Sequence, residues 1–258
     1  GPVRVGFVSM THSIPEPNAL AIHTRYGTVV HSGDWKLDPA PLVGEPADAA
    51  MLRRLGGEGV VALVCDSTNV FVPGTSLSEA AVRERLTAVI GAQRQRVAVT
   101  CFATNVARLQ SIAQAAAAAG RHCALIGRSL WRVCAAAQAT GYLADLPEPF
   151  VSEHDAGFLP SDKAVLVCTG SQGEPRSALA RIAADEHPRI VLDSGDTVVF
   201  SARPIPGNEK AIARVQNALA RRGIGVVTSA DEENIHASGH PARDELVQLY
   251  QWLRPRIA

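Results

Sequence analysis

Short apolar runs alternate with longer amphipathic stretches along most of this chain. The short runs are rich in β-branched residues and end at Gly, Pro or Asp, which predicts strands, whereas the longer stretches have a helical repeat. The predicted strands are 3–8, 19–23, 27–31, 60–65, 97–102, 122–126, 164–168, 189–193 and 224–228, and the predicted helices are 78–90, 104–119, 128–140, 175–184, 208–222 and 242–253. The regular alternation after residue 60 indicates an α/β fold with a parallel sheet covered by helices.

Composition narrows the class of protein without fixing its function. The 258 residues are 47% hydrophobic, which is enough for one or two domains with a large core. Basic and acidic residues balance at 25 each, which argues against a polybasic binder but is compatible with a local basic channel. The five cysteines form no CxxC pair and predict free, buried thiols in a reducing compartment. Without a transmembrane stretch or a signal-peptide pattern, a cytoplasmic protein that makes no membrane contact is expected.

Four polar motifs follow or interrupt the predicted strands. They place His12 in THSIPE, Asp34 in SGDWK, Asp66 in CDSTN and His240 in HASGH. Histidine and aspartate at strand ends are the side chains that a divalent metal and its water nucleophile require. Each motif alone also has a structural explanation, such as a solvent-facing loop histidine or an aspartate that caps a turn or a helix. The joint order and spacing of the four motifs indicate a shared site.

Taken together, the motifs resemble the ribonuclease J family, in the β-CASP branch of the metallo-β-lactamase superfamily. His12 matches the third metal motif of the family, and Asp34 matches the fourth, the carboxylate that bridges two zinc ions. Asp66 matches the acidic residue that opens the β-CASP segment, and His240 matches a histidine close to the scissile phosphate. The strings TCFATNVARL, GRSLWR, CTGSQGEP and SARPIPGNEK also look like segments of ribonuclease J.

The resemblance implies roles for individual residues in phosphodiester hydrolysis. His12 and Asp34 would bind metal, with zinc as the cofactor and two ions in the parent enzyme. His240 would donate a proton or a hydrogen bond to the leaving oxygen, held by Asp66, so that these two residues are the catalytic pair. RNA is the expected partner, and its phosphates are expected to meet Ser171, Gln172, Ser201, Ser238 and Gly239.

Two features of the family are missing from the sequence. The HxHxDH motif, which supplies most of the metal ligands in the family, occurs nowhere in the chain, and the last ligand histidine would lie beyond Ala258. The zinc site is therefore expected to be incomplete. Because all four remaining motifs are intact, an internal fragment of a longer enzyme is favoured over a degenerate relative.

The sequence thus predicts two domains and a nuclease. Residues 1–64 and 229–258 would form a partial metallo-β-lactamase domain, and residues 65–228 an inserted β-CASP domain. The parent protein would be a zinc-dependent ribonuclease with 5′-to-3′ exonuclease and endonuclease action on RNA, working as a homo-oligomer, and the isolated chain would be inactive. The alternatives are a non-catalytic RNA-binding or assembly module and a β-CASP nuclease that acts on DNA.

Overall fold

The structure, a computed structural model, describes residues 3–258 and contains nine strands and eight α-helices in that range. The strands are β1 Arg4–Ser9, β2 Asn18–Thr24, β3 Gly27–His31, β4 Val60–Val64, β5 Val97–Thr100, β6 His122–Ile126, β7 Ala164–Cys168, β8 Thr197–Phe200 and β9 Gly225–Val227. The helices are α1 Ala49–Glu58, α2 Glu79–Ala92, α3 Val106–Ala118, α4 Arg128–Ala139, α5 Glu153–Ala156, α6 Ala178–Ala183, α7 Glu209–Arg221 and α8 Arg243–Leu253, with a 3₁₀ turn at Ser161–Lys163. The described residues include no helix with the length and hydrophobicity needed to cross a membrane.

The chain forms two compact units, here called the sheet-edge unit and the parallel-sheet unit. The sheet-edge unit consists of the residues up to Ala80 together with Ala237–Ala258, and the parallel-sheet unit is Ala81–His236. The first boundary lies later than residue 64 because the segment after β4 bonds within the sheet-edge unit: Lys36 Nζ donates to the Leu77 carbonyl at 2.9 Å. The second boundary lies later than residue 228 because the Ile235 carbonyl accepts from Ser201 Oγ at 2.6 Å, within the parallel-sheet unit.

The sheet-edge unit has a four-stranded sheet in the order β1-β2-β3-β4. The first three strands are antiparallel neighbours, and β4 joins β3 in parallel. One face of the sheet supplies a core with helices α1 and α8, whose buried members include Val8, Met10, Val30, Trp35, Leu52, Leu55, Leu249 and Leu253. Because strands β1 and β3 run the same way as β4, three carboxyl ends meet at one edge of this sheet.

Helix α1 is absent from the sequence prediction. The pair Gly56-Gly57 lowers the helical propensity of this stretch and hides its pattern. The structure gives a reason for the first glycine: a Cβ on Gly56 would collide with the carbonyl oxygen of Trp252 in α8. The glycine therefore allows the backbones of the two helices to pack closely, and Asp48 caps the helix by accepting from Met51 N at 2.8 Å.

The parallel-sheet unit has five strands in the order β6-β7-β5-β8-β9, all parallel. Every residue of β5, β7 and β8 is buried, as expected for strands covered by helices on both faces. The predicted α/β class with a helix-covered parallel sheet is therefore confirmed. All five cysteines are free thiols; four are buried and Cys65 is half-buried.

One predicted strand is wrong. Residues 189–193 form no strand, and the strand that pairs with β5 is β8, Thr197–Phe200. Ile190 and Leu192 do bury their side chains in the core of the parallel-sheet unit, which explains the apolar pattern of this segment. The segment remains irregular because a turn follows it directly, closed by the bond from Asp196 N to the Asp193 carbonyl. The sheet is joined only after this turn, where Thr197 N donates to the Arg96 carbonyl at 3.0 Å.

His187 provides a test of stability in the parallel-sheet unit. Its buried Nδ1 accepts from Ile190 N at 3.1 Å, and burial lowers the pKa of the ring even though the Glu153 carboxylate raises it. The histidine of the unfolded chain takes up a proton near its ordinary pKa of about 6.5, whereas the buried ring in the folded chain does so only at lower pH. Protonation therefore favours the unfolded chain, and the free energy of unfolding falls as the pH drops below about 6.5.

We expect His187→Asn to retain the acceptor for Ile190 N and to lose less stability than the wild type on acidification. Urea unfolding at about pH 7.5 and about pH 5.5 measures this difference. His154→Asn, at an exposed position of the same unit, is the control and should keep the wild-type pH dependence. An equal acid-induced loss in His187→Asn and the wild type would contradict the assignment.

Candidate active site

Three of the four motif residues lie at the common edge of the sheet-edge unit. His12 follows β1, Asp34 follows β3 and Asp66 follows β4. His240 lies in the loop that precedes α8, and its side chain reaches the same place. His12, Asp34 and His240 each offer one possible metal-ligand atom, and these three atoms lie within 4.8 Å of one another. The rings of His12 and His240 meet edge to face, with centroids 5.6 Å apart.

His240 forms a short pair with Asp66. Its Nδ1 lies 2.7 Å from Asp66 Oδ2. An ionised carboxylate can only accept, so Nδ1 carries the proton and Nε2 is left for a ligand or a substrate. The Asp66 side chain is 8% exposed and that of His240 is 33% exposed, so the aspartate is the inner member of the pair and the imidazole faces outward.

The surroundings of Asp66 keep it ionised. Burial by itself would raise the pKa of this carboxyl, but hydrogen bonds from the Thr68 hydroxyl and amide and from His240 outweigh burial and bring the pKa below its ordinary value. Thr68 Oγ1 and Thr68 N donate to Asp66 Oδ1 at 2.6 and 3.0 Å, leaving Oδ2 for the imidazole. Asp66 is thus fixed as an acceptor that holds His240 in one tautomer and orientation.

His12 has the properties of a metal ligand. Burial lowers its pKa, and the neighbouring His240 and Lys36 lower it further, against the opposing effect of Asp34. A neutral imidazole is the form that binds a metal. Nδ1 lies 3.1 Å from Ser13 Oγ, whereas the buried Nε2 has no hydrogen-bond partner among the described residues. A buried nitrogen without a partner is costly in a folded protein, and a metal ion next to the Asp34 carboxylate would satisfy it.

The loops that carry His12 and Asp34 are joined by Thr11. Its hydroxyl donates to the Lys36 carbonyl at 2.6 Å and accepts from Asp38 N at 3.0 Å, while its own carbonyl accepts from Lys36 N at 2.8 Å. The Lys36 ammonium is buried beside Asp38, with 3.4 Å between Nζ and Oδ2. These bonds fix the spacing between the residue before His12 and the residues just after Asp34.

Two further polar residues join the other loops. Ser32 Oγ accepts from Asp66 N at 2.9 Å, which links the end of β3 to the end of β4. Asn69 Nδ2 donates to Ser238 Oγ at 2.8 Å and to the His240 carbonyl at 3.2 Å. Thr11, Ser32 and Asn69 were not predicted as site residues, although all three lie inside the four polar motifs. Their proximity to the motif histidines and aspartates was the available signal.

The predicted RNA-contacting residues divide between the two units. Ser238 accepts from His240 N at 3.1 Å and so belongs to the loop of the candidate site. Gly239 follows it in the same loop, and the remaining three, Ser171, Gln172 and Ser201, are buried in the parallel-sheet unit. Gln172 donates to the Arg203 carbonyl and accepts from Ile205 N, and Ser201 accepts from the buried Arg108 guanidinium at 2.5 Å. These bonds are internal to the unit, and the contact of the three residues with RNA stays a prediction.

Gly239 has a steric role at the site. A Cβ at this position would lie 2.8 Å from His12 Cε1 and closer still to Nε2, which is tighter than van der Waals contact allows. Because hydrogen bonds hold both loops in place, a side chain at residue 239 would force the His12 ring to move. The absence of a side chain at residue 239 therefore allows the imidazole of His12 to occupy its position.

In the full gene product, we expect Gly239→Ala to weaken zinc binding by at least about tenfold, because disturbing the support of a metal ligand typically costs this much affinity. Competition with a chromophoric chelator measures the effect. Gly57→Ala is the matched control because its Cβ would meet nothing within 4 Å in α1 of the same unit. Wild-type affinity in both variants would show that the contact between Gly239 and His12 does not matter for metal binding.

The chain resembles known proteins both in one domain and over its whole length. Residues 94–219 match the family model described as the β-CASP domain of ribonuclease J. Ribonuclease J of Sinorhizobium meliloti is 50% identical over 257 residues, which cover 100% of this chain and 45% of that protein. Ribonuclease J of Mycolicibacterium smegmatis is 44% identical over 250 residues, which cover 97% of this chain and 45% of that protein. Ribonuclease J of Thermus thermophilus is 40% identical over 248 residues, which cover 96% of this chain and 43% of that protein.

Residues 94–219, which match the β-CASP domain of ribonuclease J, lie within the parallel-sheet unit. Over its whole length the chain is homologous to ribonuclease J, which confirms the resemblance drawn from the motifs, and it spans about 45% of the length of the first relatives it matches. A crystal structure of an Enterococcus faecalis protein of unknown function has a TM-score of 0.60 at 14% identity, covers 100% of this chain and 58% of that chain, and shows a shared fold.

Proposed function

We propose that this chain carries part of the active site of a zinc-dependent ribonuclease of the ribonuclease J type. The observation that carries the proposal is the pairing of His240 with Asp66 at 2.7 Å, beside ligand atoms of His12 and Asp34 within 4.8 Å of His240. A buried carboxylate that orients an imidazole, next to a group of metal-binding side chains, suits metal-assisted hydrolysis of a phosphodiester. The similarity to ribonuclease J supports RNA as the substrate.

His12 and Asp34 are the residues that would hold zinc. A neutral, buried imidazole nitrogen and an exposed carboxylate form a donor set that zinc accepts, and the unpartnered His12 Nε2 fits this role. When bound, zinc would supply Lewis-acid chemistry: it polarises a phosphate oxygen and lowers the pKa of a water molecule. The three side chains of the group are fewer than two tetrahedral zinc ions need, so we propose that the isolated 258-residue chain binds zinc weakly and is inactive.

His240 would act on the leaving oxygen. Its Nδ1 proton is engaged by Asp66, so the doubly protonated imidazolium would give its Nε2 proton to the oxygen that departs from the phosphate and return to the neutral form. Asp66 stabilises the protonated imidazole before the transfer and keeps the ring from rotating.

The experiment that tests the proposal compares three activities of the full gene product and of the 258-residue chain. Cleavage of 5′-monophosphorylated RNA, cleavage of DNA with the same sequence, and RNA binding are measured side by side. We expect the full gene product to cleave RNA and spare DNA, with both exonuclease and endonuclease products. RNA binding without cleavage would favour a non-catalytic RNA-binding module, and preferential cleavage of DNA would favour a DNA nuclease.

A further inference from the structure

Glu245 is a buried carboxylate outside the proposed set of metal-binding and catalytic residues. It is the third residue of α8 and is 1% exposed. Burying a charge is costly unless hydrogen bonds satisfy it, and four donors do so here. Oε1 accepts from Leu37 N at 2.6 Å and from Ser76 Oγ at 2.8 Å, while Oε2 accepts from Ser76 N at 2.6 Å and from Ala242 N at 2.8 Å.

The donors come from separate segments that carry site residues. Leu37 lies three residues after Asp34, and Ala242 lies two residues after His240. Glu245 itself is anchored because Leu246, Leu249 and Leu253 fix α8 in the core of the sheet-edge unit. One side chain therefore ties the loop of Asp34 and the loop of His240 to the same rigid helix.

We propose that Glu245 is a positioning residue that sets the distance between the Asp34 carboxylate and the His240 imidazole. The expected effect of Glu245 on turnover rests on the proposed ribonuclease function. Its effect on the geometry of the two loops does not. Residues that hold metal ligands in place through hydrogen bonds commonly affect metal affinity and activity although they never touch the metal.

A carboxylate is needed at this position because both of its oxygens face donors. In Glu245→Gln, one oxygen is replaced by an NH₂ group, which must point at two of these donors. The Ser76 hydroxyl can rotate and accept from this amide, whereas a backbone N–H cannot. The amide nitrogen is therefore expected on the side of Ser76 Oγ and Leu37, and the substitution releases Leu37 N and with it the Asp34 loop.

The matched control is Ser76→Ala. It removes one of the four hydrogen bonds to Glu245 but keeps the bonds from Leu37 N and Ala242 N. If Glu245 only stabilised the fold, both variants would alter the site in proportion to their loss of stability. If Glu245 positions the site, Glu245→Gln alone affects metal binding and turnover.

Three measurements separate these cases in the full gene product. Hydrogen exchange at Leu37 should rise at least about tenfold in Glu245→Gln relative to the amide of Ala21 in β2, because a local opening no longer requires global unfolding. Zinc affinity, measured by chelator competition, should fall about 10–100-fold. The turnover number should fall by a similar factor while KM for RNA changes less than about threefold, and Ser76→Ala should leave zinc affinity and turnover near wild type.

Wild-type exchange at Leu37 together with wild-type zinc affinity in Glu245→Gln would overturn the inference, and so would an equal loss of zinc affinity in Ser76→Ala. If wild-type protein does not cleave RNA but the exchange and zinc effects appear, the ribonuclease proposal fails while the positioning role stands. If Glu245→Gln does not fold, Glu245→Asp replaces it: the shorter carboxylate keeps the charge, cannot reach all four donors, and should give the same pattern.

Discussion

Replacing His240 with alanine is expected to lower the rate of RNA cleavage by about 10²–10⁴-fold, the usual contribution of a positioned general acid. RNA affinity should change little, since one lost hydrogen bond is worth only about 1 kcal/mol. The reason is the 2.7 Å pair with Asp66, which fixes the Nδ1 proton and leaves Nε2 for the leaving oxygen. Single-turnover cleavage of 5′-monophosphorylated RNA at saturating enzyme, beside a binding titration, separates the two quantities.

Two companion variants sharpen this test. Asp66→Asn should lower the rate in the same direction by a smaller factor, because an amide can present a donor to Nδ1 and loosen control of the tautomer. His23→Ala is the control: His23 lies in β2 of the same unit and its Nδ1 contacts Thr28 Oγ1 at 3.1 Å. Single-turnover cleavage by His240→Ala at the wild-type rate, with saturating enzyme, would show that His240 is not the general acid.

His240 also lies within reach of the metal-binding group, so zinc affinity distinguishes its two possible roles. A general acid leaves zinc affinity unchanged when it is removed, whereas a ligand takes part of the affinity with it. We expect His240→Ala to bind zinc as the wild type does. A loss of zinc comparable to that of a ligand variant would reassign His240 as the third ligand of the group formed with His12 and Asp34.

In the full gene product, replacing Asp34 with asparagine is expected to weaken zinc binding by at least about 100-fold, because the change removes a charged ligand rather than a supporting contact. The Asp34 side chain is exposed, so the substitution should cost little stability. Elemental analysis after dialysis, together with chelator competition, gives the zinc content and the affinity.

The control for Asp34→Asn is Asp48→Asn, which changes another exposed aspartate of the same unit. Asp48 caps α1 by accepting from Met51 N, and asparagine is as good an N-cap as aspartate, so the substitution should cost little stability and leave zinc binding intact. Equal zinc content in the wild type and Asp34→Asn would remove Asp34 from the metal site.

Sequence patterns predicted the architecture well where local and tertiary preferences agree. Runs such as Val97–Thr100 and Ala164–Cys168 are apolar on both faces, and burial between helix layers is the environment in which such runs form strands. The pattern was misleading at 189–193, where Ile190 and Leu192 reach the core from an irregular segment. Apolar alternation reports burial, and it cannot distinguish a buried loop from a strand when a turn follows at once.

The candidate site was predicted in part. The strand ends and the family motifs identified His12, Asp34, Asp66 and His240, and the structure brings these four together in one unit. The bonds that hold their loops could not be predicted, because Glu245 is separated from Leu37 by 208 positions and Asn69 from Ser238 by 169. Contacts this distant in sequence leave no local periodic signal. The role of Gly239 likewise depends on where the His12 ring lies, which only the folded chain determines.

The most direct test of the central claim is the zinc dependence of RNA cleavage by the full gene product. The wild-type protein and Asp34→Asn are stripped of metal with a chelator, and cleavage of 5′-monophosphorylated RNA is followed before and after zinc is added back. We expect that the stripped wild type does not cleave, that zinc restores its activity, and that Asp34→Asn stays inactive at the same zinc concentration. Undiminished cleavage by the stripped wild type, or full recovery of Asp34→Asn, would contradict a zinc-dependent ribonuclease site at Asp34.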